Sequence, residues 1–355
     1  MNLTQQNKRK RIRMMMTVMM ATLSIICTYK SNAQSADKKS IHVGLIYPIS
    51  NHGVRAGEYT NVFSLNGIAG VSHEETHVSV AGVTNVINEN GSGVQIAGVS
   101  NHIHKKAGGA QIAGVVNTYE TGNGTQIAGF GNIASDSVEG TQVAGFINTA
   151  SYVNGMQLGG FINTANDVDG MQTAGFINIA KKVKGVQLAG FINIADSSEY
   201  PIGIINLIRN GEQSVSVTTD ETLTTLVSFR SGSRKLYGII GLGGNFKNST
   251  DNFAIEAGIG ANLLNKPSFR LSVEAVSITL TGFNSGGYQR NSLRIMPSVK
   301  VTERIELFGG PTLSYVQTNT KDGRELMKHS IWDNDHKELR GFTAGATGGV
   351  RYLLK

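Results

Sequence analysis

Residues 185–195 read GVQLAGFINIA, and near-copies precede them: GMQTAGFINIA at 170–180, GMQLGGFINTA at 155–165 and GTQVAGFINTA at 140–150. Aligned on the glycine of the A-G-F/V core, the copies fall on Gly82, Gly98, Gly114, Gly129, Gly145, Gly160, Gly175 and Gly190, 15 or 16 residues apart. Degenerate copies flank them at SLNGIAG, around Gly67, and YPIGIIN, around Gly203. So short a unit cannot bury its own apolar surface. The copies must pack on one another, which makes 61–210 a single structure.

Within a unit the letters alternate. Val186, Leu188, Gly190, Ile192 and Ile194 fall on one parity, and Gln187, Ala189, Phe191, Asn193 and Ala195 on the other. Period two with β-branched residues predicts strand, and the glycines in every unit disfavour helix. The intervening segments, such as NDVDG and KKVKG, are short, polar and end in Gly, as tight turns do. Two arrangements use such a unit. In an antiparallel meander, Gln faces Asn and Ala faces Phe across neighbouring strands. In a solenoid, Asn stacks on Asn and Phe on Phe, and the coil closes only if its strand bends midway. The expected arrangement is the meander, with the amide parity facing a wet lumen and the aliphatic parity facing lipid. Its structural amides are Gln95, Gln111, Gln126, Gln142, Gln157, Gln172 and Gln187, with Asn101, Asn117, Asn132, Asn148, Asn163, Asn178 and Asn193.

After Gly211 the repeat stops but strand patterns continue. FAIEAGIGANLL (253–264), LRIMPSVKV (293–301) and the closing GFTAGATGGVRYLL place apolar residues on one face and polar or Gly residues on the other. That alternation over about ten residues is the weak signature of an outer-membrane barrel strand. Connections alternate between short (NKPS, VTER) and long (KNSTDN, GFNSGGYQR and the charged stretch 318–339). In FRLSVEAVSITL the apolar phase slips near Ala275, which predicts a bulge. Pro297 and Pro311 fall inside proposed strands, where proline removes a ladder donor.

The N-terminus is a basic cluster, Lys8 to Arg13, then an apolar run from Met14 to Tyr29 and small residues ending at Ala33. This predicts a secretory signal peptide over 1–33. The chain carries a net +7, of which 1–33 hold six basic residues and no acid, so the remainder is close to neutral. Nothing in that balance points to nucleic acid. The one cysteine, Cys27, lies in the leader, so the exported chain has no disulfide. The organisation expected is a leader (1–33), a lead-in strand and loop (34–60), the repeats (61–210) and a C-terminal β region (211–355).

Motifs with possible chemistry are few. HEETH, His73 to His77, fits the zinc-peptidase pattern H-E-x-x-H, which needs a helix to bring its imidazoles together. Here it lies in an inter-strand segment. His102 and His104 share a strand face beside Lys105 and Lys106, which repel a cation. Asp333-Asn334-Asp335-His336 lacks the Gly and closing Glu of a calcium loop. GLGGN at 241–245 lacks the helix of a phosphate cradle. No catalytic residue, metal ligand or cofactor is assigned. The long charged stretch holding the sole Trp332, with Asp333 and Asp335, is the expected external contact.

The units GMQTAGFINIA and GVQLAGFINIA, the lead-in HVGLIYPISNHG and the passage 200–246 resemble the surface-repeat family first described in Leptospira and common in exported proteins of Bacteroidetes. The resemblance implies an exported, surface-exposed outer-membrane β protein and supplies no catalytic residues. Together these readings predict an all-β protein. In it, repeats and C-terminal strands form one antiparallel transmembrane barrel of about 16–20 strands. The alternative is a repeat β-solenoid adhesin with a separate C-terminal β domain. The partners expected under the leading reading are outer-membrane lipid, the barrel-assembly machinery and an unidentified ligand or surface partner.

Overall fold

The computed structural model describes residues 40–247, 252–282, 287–327, 330–335 and 338–354. The expected signal peptide lies outside them. The chain is all-β and builds two bodies in sequence: a parallel β-solenoid of about ten turns over 40–208, then a closed eight-stranded antiparallel barrel over 212–353. The single meandering barrel of 16–20 strands is therefore corrected. The repeats are coils, and only the C-terminal half forms a barrel.

Each coil consists of an eight-residue strand such as Lys182–Ala189, a corner at Gly190-Phe191 and a short strand such as Ile192–Ala195. Identical letters pair in parallel from coil to coil: Gln172 with Gln187, Ala174 with Ala189, Asn178 with Asn193. The long strand bends midway, as a solenoid requires. The bend is the glycine four residues into it, with φ of 125° at Gly185, 138° at Gly170 and 136° at Gly155. A Cβ on Gly185 would lie 2.1 Å from the Gly170 carbonyl oxygen, so no other residue fits. These bends make the coil three-sided.

Side-chain direction differs from the alternation read in the sequence at one place. Gln187, Ala189, Asn193 and Ala195 point inward as a set, but Phe191 does not. At the corner Gly190, Phe191 and Ile192 face outward in succession, so Phe191 joins Val186, Leu188, Ile192 and Ile194 on the outside. The Gln face lines no wet lumen either, because every Gln of the column is fully buried.

The barrel strands are Glu212–Asp220, Thr224–Gly232, Leu236–Asn245, Phe253–Asn265, Phe269–Thr281, Tyr288–Lys300, Ile305–Thr318 and Leu339–Leu353. The first pairs with the last, Ser214 opposite Leu353, which closes the cylinder. The stretch expected to be a loop between the last two is folded. It holds a helical turn, Lys321–Glu325, and a strand, Ser330–Asp335, which pairs with Leu339–Leu353 as an arm beyond the barrel wall.

No bulge occurs at Ala275. Residues 269–281 pair without a break on the Tyr288–Lys300 side, and the irregularity lies opposite Asn262 and Leu264. Inward residues along this strand run Arg270, Ser272, Glu274, Val276, Ile278 and Leu280. The apolar phase slips because the barrel interior changes from ionic to apolar along its axis, while the strand stays regular. Pro297 and Pro311 sit where pairing between their two strands opens, between Arg294–Thr312 and Ser298–Phe308.

Candidate functional site

The solenoid interior is two amide ladders. Asn148 donates from Nδ2 to Asn163 Oδ1 at 2.9 Å, and Asn163 to Asn178 and Asn178 to Asn193 at 3.0 Å each. Each amide also donates to the backbone of the next coil, as Asn163 does to Thr173 O at 2.7 Å. Gln172 donates to Gln157 at 2.8 Å and Gln187 to Gln172 at 3.1 Å. An amide carries both donor and acceptor, so it can bond an identical neighbour indefinitely. The Gln ladder is interrupted once, where Gln142 donates to the Tyr119 hydroxyl at 2.6 Å. Gly122 makes that room, since a Cβ there would sit 2.7 Å from the Tyr119 ring.

The ladders end at both ends of the stack. At the N-terminal end, Ser79, Ser64 and then His42 replace Gln, in register. Burial lowers the His42 pKa to about 4, helped by charge repulsion from His52, and raises that of Glu75 in the same polar interior. The open edge is capped by Asn51, whose side chain accepts from Val43 N at 3.0 Å and donates to Ile41 O at 2.7 Å. At the other end the Asn ladder passes from Asn193 to Asn206 at 2.8 Å and onto the barrel, where Asn206 N donates to Ser231 Oγ at 3.0 Å.

Outside, the solenoid is unlike a soluble surface. Phe130, Phe146, Phe161, Phe176 and Phe191 stack along the corner with ring centroids 4.9–5.2 Å apart and planes 9–11° from parallel. The side before the corner carries Ile96, Ile112, Ile127 and Leu188, and the side after it Ile147, Ile162, Ile177 and Ile192. The third side carries the charges: Lys182, Lys184, Asp167, Asp169 and Glu139. Lys184 bridges Asp169 at 3.2 Å one coil away.

The part of the barrel lumen nearer the solenoid is an ion cluster. Arg230 Nε meets Glu274 at 2.9 Å, Arg294 meets Glu256 at 2.8 Å, and Arg351 meets Glu306 at 3.3 Å. Arg270 pairs with Glu212 and Glu306. These Arg and Glu side chains are 0–3% exposed apart from Glu212. The outward residues are apolar and open: Val217, Val227, Leu242, Leu293, Leu307 and Leu313. The sequence reading missed this cluster because its members are scattered over seven strands, with no local motif. Charges recurring on the polar parity of the strand patterns, as Arg270 with Glu274 and Arg290 with Arg294, were the available signal.

The remaining motifs resolve simply. His73 stands at a bend and His77 within the strand Glu74–Ala81, so HEETH lies on extended backbone, where the helical pairing of imidazoles does not arise. His102 Nδ1 lies 2.6 Å from Thr118 Oγ1 one coil on, and burial lowers its pKa. Among the described residues no group of three or more His, Cys, Asp or Glu is placed to hold a metal. The GLGGN glycines are wall positions of close approach: a Cβ on Gly243 would lie 1.9 Å from Thr225 O. In the arm, Trp332 is exposed and its ring centroid lies 6.4 Å from that of Phe342, Asp333 is exposed, and Asp335 pairs by its backbone with Leu339. No protein-family model, curated protein or solved structure matches the chain.

Proposed function

We propose that the chain is an outer-membrane protein without catalytic activity, anchored by the C-terminal barrel and presenting the solenoid and the Trp332 arm as contact modules. The observation that carries this is the inverted barrel: a closed cylinder with leucine, valine and isoleucine outside and paired arginine and glutamate inside. Closure leaves no lateral edge, which is the condition for a β structure in hydrocarbon. In water the same surface would be a liability, being far larger than the few hundred Å² a monomer normally exposes.

A conducting pore is not part of this reading, because eight strands leave an interior that side chains fill. The ion cluster and the apolar cluster of Leu226, Ile278, Leu280 and Val316 fill it here. In such barrels short turns face the periplasm and long connections face outward. Turns 233–235, 266–268 and 301–304 share one end with the solenoid, and the arm carrying Trp332 lies at the other. The solenoid is thus assigned to the periplasmic side and the arm to the exterior.

The test is heat-modifiable migration of the full chain in detergent, together with recovery in outer-membrane fractions. Faster migration of the unheated sample is expected. A chain that stays monomeric and soluble without detergent would overturn the reading.

A further inference from the structure

We propose that the two apolar sides of the solenoid and the phenylalanine ridge between them are a lipid-contact surface, lying against the leaflet of the membrane at the short-turn end of the barrel. The inference rests on the barrel reading above and deepens it.

The junction sets the direction. Along 224–232 the inward residues include Ser228 and Arg230, so Ser231 points outward; along 236–245 Tyr237 and Ile239 point inward, so Gly238 points outward. The last coil covers these two outward positions. Asn206 bonds Ser231 by N–H to Oγ and by Nδ2 to O, and a Cβ on Gly238 would lie 2.2 Å from both Gly203 O and Ile204 O. The solenoid therefore abuts the outer wall of the barrel by its end, near the rim, and its axis leaves that wall sideways. For a barrel standing across a bilayer, sideways is along the membrane plane.

The roll about that axis is also set. Gly203 and Ile204 occupy the corner that carries the phenylalanines in earlier coils, and they meet Gly238, up the wall beside Ile240 and Leu242. Glu199 and Tyr200 follow the Lys184–Val186 part of the coil, and they meet the turn itself: Ser233 Oγ donates to Glu199 O at 3.2 Å and Lys235 Nζ to the Tyr200 hydroxyl at 3.2 Å. The aromatic corner is thus turned toward the membrane-spanning part of the barrel, and the charged side away from it.

The surface suits hydrocarbon in two further ways. Backbone groups are bonded from coil to coil even at the corner, where Phe191 N donates to Phe176 O and Gly190 N to Ala174 O, so these corner amides are not left unpaired. Over the eight aligned coils each side measures about 38 Å by about 13 Å, or about 500 Å², mostly apolar but interrupted by residues such as Thr125 and Thr173 before the corner and Ser100, His102 and Thr164 after it. Two sides exceed the largest patch usual on a monomer. One flat side falls short of the about 800 Å² per partner of a stable dimer, and two convex ridges do not interlock. The barrel also holds the surface beside the bilayer at high effective concentration.

The experiment uses the full chain in phosphatidylcholine vesicles, with Trp332→Phe as background and a single tryptophan placed in turn at Leu293, Phe161, Leu188 and Asn154. Lipids brominated on their acyl chains are the probe. Quenching is expected for Leu293→Trp on the barrel, and for Phe161→Trp and Leu188→Trp on the solenoid. Asn154→Trp, on the polar side of the same coil as Phe161, should stay within a tenth of its unquenched intensity. If Leu293→Trp is quenched but neither solenoid position is, the inference falls and the barrel stands; shielding of those positions from aqueous iodide would then identify a second copy or another protein as the cover. If Leu293→Trp itself is unquenched, the barrel reading falls and this inference with it.

Discussion

The solenoid and the barrel solve one problem in opposite ways. Both bury hydrogen-bonded polar side chains beside an apolar cluster and leave many apolar side chains on the outside. The solenoid stacks identical coils in parallel, so each residue meets its own kind one coil away. Only side chains that bond or stack with themselves can occupy such columns, and the interior is accordingly Gln on Gln and Asn on Asn, with Phe on Phe outside. The barrel pairs strands antiparallel, so unlike residues meet and opposite charges can be matched across the lumen, as Arg230 with Glu274. Charges in the solenoid columns lie mostly outside, where opposite signs can meet, as Asp169 beneath Lys184; Glu75 is buried. Parallel repetition selects for self-complementarity; antiparallel closure selects for complementarity.

The sharpest way to break that comparison is to unpair one charge in the barrel. Glu274→Ala strands Arg230 in the lumen and should cost about 3–5 kcal/mol, while the double change Arg230→Met, Glu274→Leu should recover much of it. The urea midpoint of the folded, heat-modifiable form measures both. Equal losses for the single and double variants would mean the cluster is not held by charge pairing.

The solenoid counterpart is Asn163→Ala, which removes the acceptor of Asn148 Nδ2 and the donor to Asn178 Oδ1. Each orphaned buried group costs about 1–3 kcal/mol, so a total of about 3 kcal/mol is expected. Loss of amide-exchange protection should spread to the coils on both sides. Protection lost in that coil alone would deny the ladder its coupling role.

Asp169→Lys places like charges at neighbouring exposed positions of adjacent coils. It should cost under about 1 kcal/mol and fade with added salt. A salt-independent loss of several kcal/mol would show that the third side is not simply solvated.

The smallest effect is confined to the first coil. His42 has a lowered pKa of about 4, so its neutral form is the folded one. Its contribution is complete above the unfolded value of about 6.5 and is lost as pH falls toward 4. His52, lowered by burial, acts in the same direction; Glu75, raised by burial, acts in the opposite one. In a Glu75→Gln background, the protection of the Val43 and Ser64 amides relative to their intrinsic exchange rates should fall as pH drops over that window, and His42→Phe should flatten the profile. A slope that survives His42→Phe would assign the effect elsewhere.

Much of this was legible in the residues. The repeat period, the strand character and the alternating turn lengths of the C-terminal half all follow from local rules of period and turn chemistry. The glycine at 185 and its equivalents mark the bend that a solenoid needs, a signal a period-two reading passes over because it treats the strand as straight. The phase slip at Ala275 was visible too, but it recorded a change in what the lumen contains.

What the chain's letters determined alone is therefore that each unit is a strand with one self-bonding amide at each of two fixed places, since those depend only on spacing and side-chain chemistry. Whether neighbouring units run parallel or antiparallel was decided only by the tertiary structure. Both arrangements satisfy the same alternation, and the corner at Gly190-Phe191, which turns phenylalanine outward, exists only once coils stack. The ion cluster likewise needed closure of the barrel, because residues from Glu212 to Arg351 acquire partners only when the first strand meets the last.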